Sequence, residues 1–488
     1  MKEAIEVFKT GVYAPAPERT PVHVAARYGL FIDGAFHEAE AGGSRPVENP
    51  ATGERLTETA EAGEADVDKA VGAARRAFEK RWSRLPGKER GKYLYRLARL
   101  IQERSRELAV LESLDTGKPI RESRDVDVPL AAAHFFYYAG WADKIGHAFA
   151  GRAVRPYGVA GQVIPWNFPL LMAAWKMAPA LACGNTLVLK PAEFTPLTAM
   201  ALAGLVQEAG FPEGVINIIT GGGEAGAALV GHPGVDKVAF TGSTAVGKAI
   251  QRGLAGTGKP YTLELGGKAA HLIFEDAALD EAVEGVVNGI FFNQGHVCCA
   301  GSRLLVQEGI YPDFMRRLEH RIGTLVMGDP LDKNTDIGAI NNAPQMERIS
   351  CYLAEAREQG LDVWQGGQAV PERGYWCRPT VVRDAPMSAR IVREEVFGPV
   401  LAVQTFRTAE EAVEKANNTR YGLSGGVWTD KGSRIFKVGS AIRAGVLWAN
   451  TFNKFDPTAP FGGFKESGIG REGGWHGLQC WVRTSAKG

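Results

Sequence analysis

The apolar residues of this chain change their period along its length. From Val67 the positions Val67, Val71, Ala74 and Phe78 step by four, three and four, and Leu94, Leu97, Ile101, Leu108 and Leu111 continue the stripe. A period near 3.6 predicts amphipathic helices with one face turned to a core. Between Tyr157 and Leu265 the pattern shortens to compact runs: Val159 to Ile164, Thr186 to Leu189, Val215 to Ile219, Lys237 to Phe240 and Tyr261 to Leu265, separated by helical stretches. Strand and helix in alternation imply an α/β fold, a mostly parallel sheet covered on both faces. Upstream, residues 1–28 hold Pro15, Pro17 and Pro21 and no sustained apolar period, so they read as an irregular arm.

Composition and charge remove several function classes. The 56 basic and 55 acidic residues are spread along the 488-residue chain and leave a formal charge of +1, so no field favours nucleic acid or an anionic membrane surface. The longest apolar run, Leu170 to Cys183, is interrupted by Lys176 and Pro179 and is too short to span a bilayer. Lys2, Glu3, Glu6 and Lys9 break up the first ten residues, which therefore hold no signal core. The cysteines Cys183, Cys298, Cys299, Cys351, Cys377 and Cys480 show neither disulfide-framework nor zinc spacing. A soluble protein of the reducing cytoplasm, without a metal site, is the expectation.

The candidate chemistry centres on Phe291 to Arg303. Cys298 and Cys299 stand side by side behind Gly295 and ahead of the small residues Ala300 to Ser302, where a backbone can approach a substrate. A thiolate there would add to a carbonyl carbon, and its aldehyde adduct is one from which hydride can leave. In a parallel sheet the ligand lies beyond the carboxyl ends of the strands, so the residues after each run are informative. Pro165-Trp166-Asn167-Phe168-Pro169 follow the first run, Lys190-Pro191-Ala192-Glu193 the second, and Thr241-Gly242-Ser243-Thr244 the fourth. Gly242 and Ser243 at a strand-to-helix turn suit a phosphate, because helix-start amides point at an anion. Gly221, Gly223 and Gly226 fit the spacing of a dinucleotide fingerprint, a weaker signal among 60 glycines. Lys190 and Glu193 suit ribose hydroxyls, donating and accepting respectively. Glu264, between Leu263 and Leu265 and beside Gly266-Gly267, reads as a general base tuned upward by burial, or else as a sheet-edge carboxylate paired with a nearby cation.

These motifs, in this order, together with Glu394-Glu395-Val396-Phe397-Gly398-Pro399 and Pro460-Phe461-Gly462-Gly463, resemble the NAD(P)-dependent aldehyde dehydrogenase superfamily from about Phe31 to Gly474. The resemblance implies a Rossmann-type cofactor domain from residues 1–145 and 157–266, an α/β catalytic domain from residues 267–467, and a small oligomerisation arm from 146–156 with 468–488. It makes Cys298 the nucleophile rather than Cys299, Glu264 the base, and the Asn167 amide with the Cys298 backbone N–H the oxyanion site, with Lys176 supporting. Ile164, Pro165, Trp166, Lys190, Glu193, Gly223, Gly242, Ser243, Leu265, Glu395 and Phe397 would hold NAD. Phe168, Met172, Trp175, Phe455 and Phe461 resemble the apolar substrate tunnel.

Three departures from the family pattern stand out. His296 replaces the usual Gln of the catalytic loop, Ala269 and Ala270 stand where a Pro usually follows the Gly-Gly-Lys segment, and the connection from Gly146 to Tyr157 is short. The short arm implies a homodimer that does not go on to a tetramer. Val7 to Glu18 resembles a branch of the superfamily in which two modules are fused, although one module is present here. Two other readings remain: a non-catalytic scaffold on the same fold, which loss of the Cys or Glu would signal, and an acylating enzyme that passes a thioester to coenzyme A, against which Glu264 argues.

Overall fold

The structure, a computed structural model, describes residues 14–367 and 369–486. Two sheets form its framework. The first orders its strands Gly468–Ile469, Tyr261–Glu264, Lys237–Thr241, Val159–Val163, Thr186–Lys190, Ile216–Ile218, Leu30–Ile32 and Ala35–His37. Its five central strands are parallel and match the five apolar runs to within one residue at each end, the third trimmed to Ile216–Ile218. Val159–Val163 lies between the second and the fourth of them, so strand order reverses there. A crevice consequently opens above the ends of Val159–Val163 and Lys237–Thr241. The second sheet, Asp362–Gln365, Thr380–Arg383, Val400–Phe406, Arg303–Gln307, Ala270–Ile273, Ser424–Trp428 and Val446–Ala449, is parallel except at its first pair.

Helix Glu64–Lys80 covers one face of the first sheet, burying Val67, Val71 and Ala74. The stripe from Leu94 to Leu111, read as continuous, divides into helices Gly87–Glu103 and Ser105–Thr116. Arg104, at φ −98° and ψ 17°, breaks the ladder between them. Helix Pro169–Ala182 is buried along its whole length. Apolar on all sides but for Lys176, it fills the space between the sheet and the helical layer of Gly87–Glu103 and Val128–Trp141.

The N-terminal reading falls partly on residues 1–13, which lie outside the described residues, as do positions 7–13 of the stretch likened to the fused branch. From Ala14 the chain has little regular structure until Arg27, yet it is tied down. Ala16 N–H donates to Asp332, Glu18 N–H donates to the Leu331 carbonyl, and the Glu18 carboxylate pairs with Arg106 at 2.9 Å. At the other end Val482–Ala486 pairs antiparallel with Arg152–Pro156 in a two-stranded ribbon. Gly468–Ile469 instead joins the edge of the first sheet beside Glu264. Among the described residues no helix is long and apolar enough to cross a membrane.

Asn185 clamps three of these parts. Fully buried, it accepts from Gly158 N–H at 3.0 Å and donates to the carbonyls of Ala180 and Trp481 at 3.1 and 3.0 Å, joining a strand entry, a helix end and the C-terminal ribbon. Asn185→Ala strands those groups away from water, a cost of about 2–4 kcal/mol. The thermal unfolding midpoint is expected to fall by several degrees, and an unchanged midpoint would contradict the clamp.

Candidate active site

The functional groups gather where the chain passes from one sheet to the other. Tyr261–Glu264 ends in the first sheet, Ala270–Ile273 begins in the second, and the linker between them runs under the loop that carries Cys298. The approach is close: a Cβ on Gly267 would meet the Cys298 carbonyl oxygen at 2.3 Å. Gly267 N–H in turn donates to the Glu395 carboxylate at 2.8 Å. Only a residue without a side chain fits there.

Cys298 follows helix Leu279–Phe291 on a loop that opens with Asn293, Gln294 and Gly295 all at positive φ (49°, 54° and 75°). A left-handed Gln costs of order 1–2 kcal/mol and a left-handed Asn less, since its short amide tolerates that region, and side-chain contacts hold both. Asn293 N–H donates to Glu122, and the Gln294 side-chain amide to the Ala339 carbonyl, each at 2.8 Å. The strain turns the chain sharply so that Cys298 faces a cavity of about 370 Å³.

That cavity brings together Pro165, Trp166, Asn167, Phe168, Met172 and Trp175 from the first crossover. Gly242, Ser243, Glu264 and Leu265 come from the fourth and fifth strand ends, and Cys298, Glu395, Phe397, Phe455 and Phe461 from the catalytic half. Five further candidates do not line it. Ile164 is buried, its N–H bonded to the Lys190 carbonyl. Lys190 and Glu193 pair at 3.5 Å, and Gly223 opens helix Gly223–Gly231. Lys176 lies behind the cavity, fully buried and paired with Glu472, which does line it.

Glu264 is only 4% exposed, and among the described residues neither carboxylate oxygen has a hydrogen-bond partner. Burial, and next the nearby Glu472 carboxylate, hold its pKa well above the usual carboxylate range. The alternative of a sheet-edge carboxylate paired with a cation is not what the fold contains, since strands flank Tyr261–Glu264 on both sides. Gly462, at φ 151°, leaves room for the group: a Cβ there would stand 2.7 Å from Glu264 Oε1.

Cys298 is half-buried, whereas Cys299 is 1% exposed with its sulfur toward Asn453 Oδ1 at 3.8 Å. A hydrogen bond with the Cys299 side chain, and then burial, push the Cys298 thiol well above its ordinary pKa, so it rests protonated. The Asn167 side-chain amide donates one hydrogen to the His296 carbonyl at 2.7 Å. An amide carries two hydrogens, so a second remains for a ligand oxygen.

Aromatic rings shape both ends of the cavity. Trp175 stands edge-on to Phe461 at 5.3 Å and to Phe455 at 6.4 Å, and Phe292 stacks on Phe168 at 6.1 Å, which makes an apolar sleeve. At the other end Trp166 meets His296 at 4.8 Å and Phe397 at 5.3 Å, and His296 stacks on Phe397 at 5.9 Å. Burial lowers the His296 pKa to about 3, so this departure from the family pattern supplies a neutral aromatic plate.

These features fit a dinucleotide. Ser243 caps helix Thr244–Leu254, accepting from Val246 N–H, and the first-turn residues Thr244 and Ala245 line the cavity, where helix-start amides suit a phosphate. Burial raises the Glu395 pKa to about 7, and its carboxylate lies beside Phe397 at the same end. Sequence reasoning missed Glu472 and Phe292 as parts of the cavity. Phe292, next to the Asn293-Gln294-Gly295 motif, was within reach of inspection. Glu472 carried no local signal beyond being an acid among glycines.

The comparisons agree with this geometry. The family model described as "Aldehyde dehydrogenase family" matches residues 36–486. Retinal dehydrogenase 2 of Homo sapiens is 46% identical over 462 residues, covering 92% of this chain and 89% of its own, and the mitochondrial aldehyde dehydrogenase of Rattus norvegicus is 45% identical over 482 residues, covering 96% and 92%. Among solved structures, the NAD+ complex of aldehyde dehydrogenase from Bacillus cereus superposes with a TM-score of 0.91 at 43% identity, covering 94% of this chain and 96% of that one. The chain therefore belongs to the aldehyde dehydrogenase family, and its reaction is the oxidation of an aldehyde to the carboxylic acid with NAD as hydride acceptor.

Proposed function

We propose that Cys298 is the nucleophile, Glu264 the base, and the Asn167 amide with the Cys298 backbone N–H the oxyanion site, acting on an aldehyde with an apolar body. The observation that carries this reading is a single cavity in which a half-buried thiol, an unpartnered carboxylate and an amide with a free hydrogen meet beside an aromatic sleeve. The Cys298 thiol gives up its proton to water as its sulfur adds to the aldehyde carbon, and the oxygen, now negative, is received by donors already in place. NAD held in the cavity would supply the hydride acceptor, and the carbon that loses hydride would remain on Cys298 as a thioester. Glu264 takes a proton from water, which attacks the thioester and frees the acid. Release to water rather than to coenzyme A follows from that carboxylate, because hydrolysis needs a base. A catalytically silent scaffold is disfavoured because both groups are present. Lys176, paired with Glu472, supports Glu264 from behind.

Ile164, Pro165, Trp166, Lys190, Glu193, Gly223, Gly242, Ser243, Leu265, Glu395 and Phe397 are assigned to NAD. We assign residues 1–145 and 157–266 to the cofactor domain, residues 267–467 to the catalytic domain, and residues 146–156 with 468–488 to the oligomerisation arm. Six free cysteines fit a reducing, cytoplasmic compartment.

First-turnover kinetics separate the roles. Cys298→Ala is expected to abolish NADH formation while NAD still binds, and Cys299→Ala to keep it; labelling at Cys299 alone by a substrate-like electrophile would sink the assignment. Glu264→Gln should keep the first turnover and lower the steady state by about a hundredfold. Because the Glu264 pKa is raised, its basic form grows as pH rises, so the parent's steady-state rate climbs with pH and the variant loses that climb. Equal steady-state rates would remove Glu264 from hydrolysis.

Cofactor choice rests on Glu193. A carboxylate beside the ribose repels a 2'-phosphate by about a kilocalorie per mole or more. Catalytic efficiency is expected to be higher with NAD than with NADP, and a preference for NADP would contradict the assignment. For assembly we infer a homodimer that goes no further. The ribbon of Arg152–Pro156 and Val482–Ala486 has two strands only, and such edges invite a partner. Light scattering across protein concentrations is expected to give the mass of two chains; four at low micromolar concentration would overturn it.

A further inference from the structure

Lys118, outside every motif of the site, has a side chain with no exposure to solvent. Its ammonium pairs with Asp127 and donates to the backbone carbonyl of Asn167 at 2.8 Å, and it stands 4.2 Å from the centre of the Phe168 ring. An ammonium has three donors, so its capacity is spent on these neighbours. The Asn167 carbonyl takes a second hydrogen bond from the Asn293 side-chain amide, also at 2.8 Å. Asn293 is the strained residue whose N–H Glu122 receives. The peptide between Asn167 and Phe168 is therefore held by side chains from two other segments, one before the first crossover and one in the catalytic loop.

Burying a lone ammonium is costly, and an apolar side chain of similar volume would fill the same space without that cost. Glu112, with Oε1 at 4.0 Å, also faces it. Burial pushes Glu112 up to about 7, Glu122 up to about 8 and Asp127 upward as well, and the Lys118 ammonium opposes the rise at all three. What the cation adds, beyond filling space, is a strong bond to the backbone of the oxyanion residue and contact with a wall of the substrate sleeve.

We infer that Lys118 is a positioning residue for the oxyanion site: by holding the Asn167 carbonyl it orients the Asn167 amide toward the carbonyl oxygen of the aldehyde bound at Cys298. The inference rests on the assignment of Asn167 above. Lys118 touches no reacting atom, and its effect passes through one peptide unit. A small rotation there would swing the side-chain amide off the developing oxyanion, where misplacement is felt in rate more than in binding.

The test measures NADH formation in the first turnover, with the rate constant reporting chemistry per site and the amplitude reporting the fraction of intact sites. Lys118→Met is expected to lower the rate constant ten- to a hundredfold, keep the amplitude within twofold, and shift the aldehyde KM less than threefold. Lys118→Arg is expected to recover at least threefold over Lys118→Met. A Lys118→Met enzyme with the parent's rate constant and a reduced amplitude or lower thermal midpoint would make Lys118 merely structural, and absence of recovery in Lys118→Arg counts the same way. If Lys118→Met does not fold, Asp127→Asn decides: it keeps the amine and removes its counter-charge, and is expected to slow the first turnover three- to tenfold, whereas an unchanged rate overturns the inference. Asn167→Ala separates the two layers. If it keeps the parent's rate, the oxyanion assignment itself is wrong; if it is slow while Lys118→Met is not, only the role of Lys118 falls.

Discussion

A carboxylate without a hydrogen-bond partner sits at the end of Tyr261–Glu264, and much of the surrounding structure follows from keeping it there. Water would stabilise that charge, so the fold keeps Glu264 nearly dry and accepts a raised pKa. Lys176, which could have paired with it, is committed to Glu472 instead. Gly462 is bare because a side chain would collide with the carboxylate, and Gly267 is bare because the Cys298 carbonyl passes over it. The Glu264 carboxylate and the Cys298 loop are thus brought together by removing atoms, on a linker that joins two rigid sheets.

The loop bearing Cys298 is the strained counterpart of that arrangement. Asn293 and Gln294 adopt a left-handed conformation that costs the Gln more than the Asn, and hydrogen bonds donated to Glu122 and Ala339 compensate. Asn293 then does double duty, since its side chain also binds the Asn167 carbonyl. Strain in the loop, the buried charge of Lys118 and the orientation of the Asn167 amide belong to one connected network. Such networks transmit displacement well because interiors are close-packed.

His296 shows how a change within a motif is absorbed. As a buried neutral ring between Trp166 and Phe397 it contributes packing, while its backbone carbonyl still receives the Asn167 amide. The contact with the Asn167 amide is made by the main chain at this position, so the side chain is free to differ.

Much of this protein could be read from its residues. Apolar period is a local property, and the five short runs became the five parallel strands of the first sheet, with the functional residues just past their ends, because parallel strands deliver their carboxyl termini to one crevice. The glycines, Glu264 and Cys298 were legible because close approach and nucleophilic chemistry demand particular residue types. The divided helix at Arg104, the tying of residues 14–18 to Asp332 and Arg106, the exclusion of Lys190 and Glu193 from the main cavity, and the partners of Lys118 and Lys176 were decided by tertiary structure. Lys176 and Glu472 are separated by 296 positions and Lys118 and Asn167 by 49. No local period or spacing encodes such pairs, because the energy that selects them, the loss of water around a charge, exists only once the chain has closed over it.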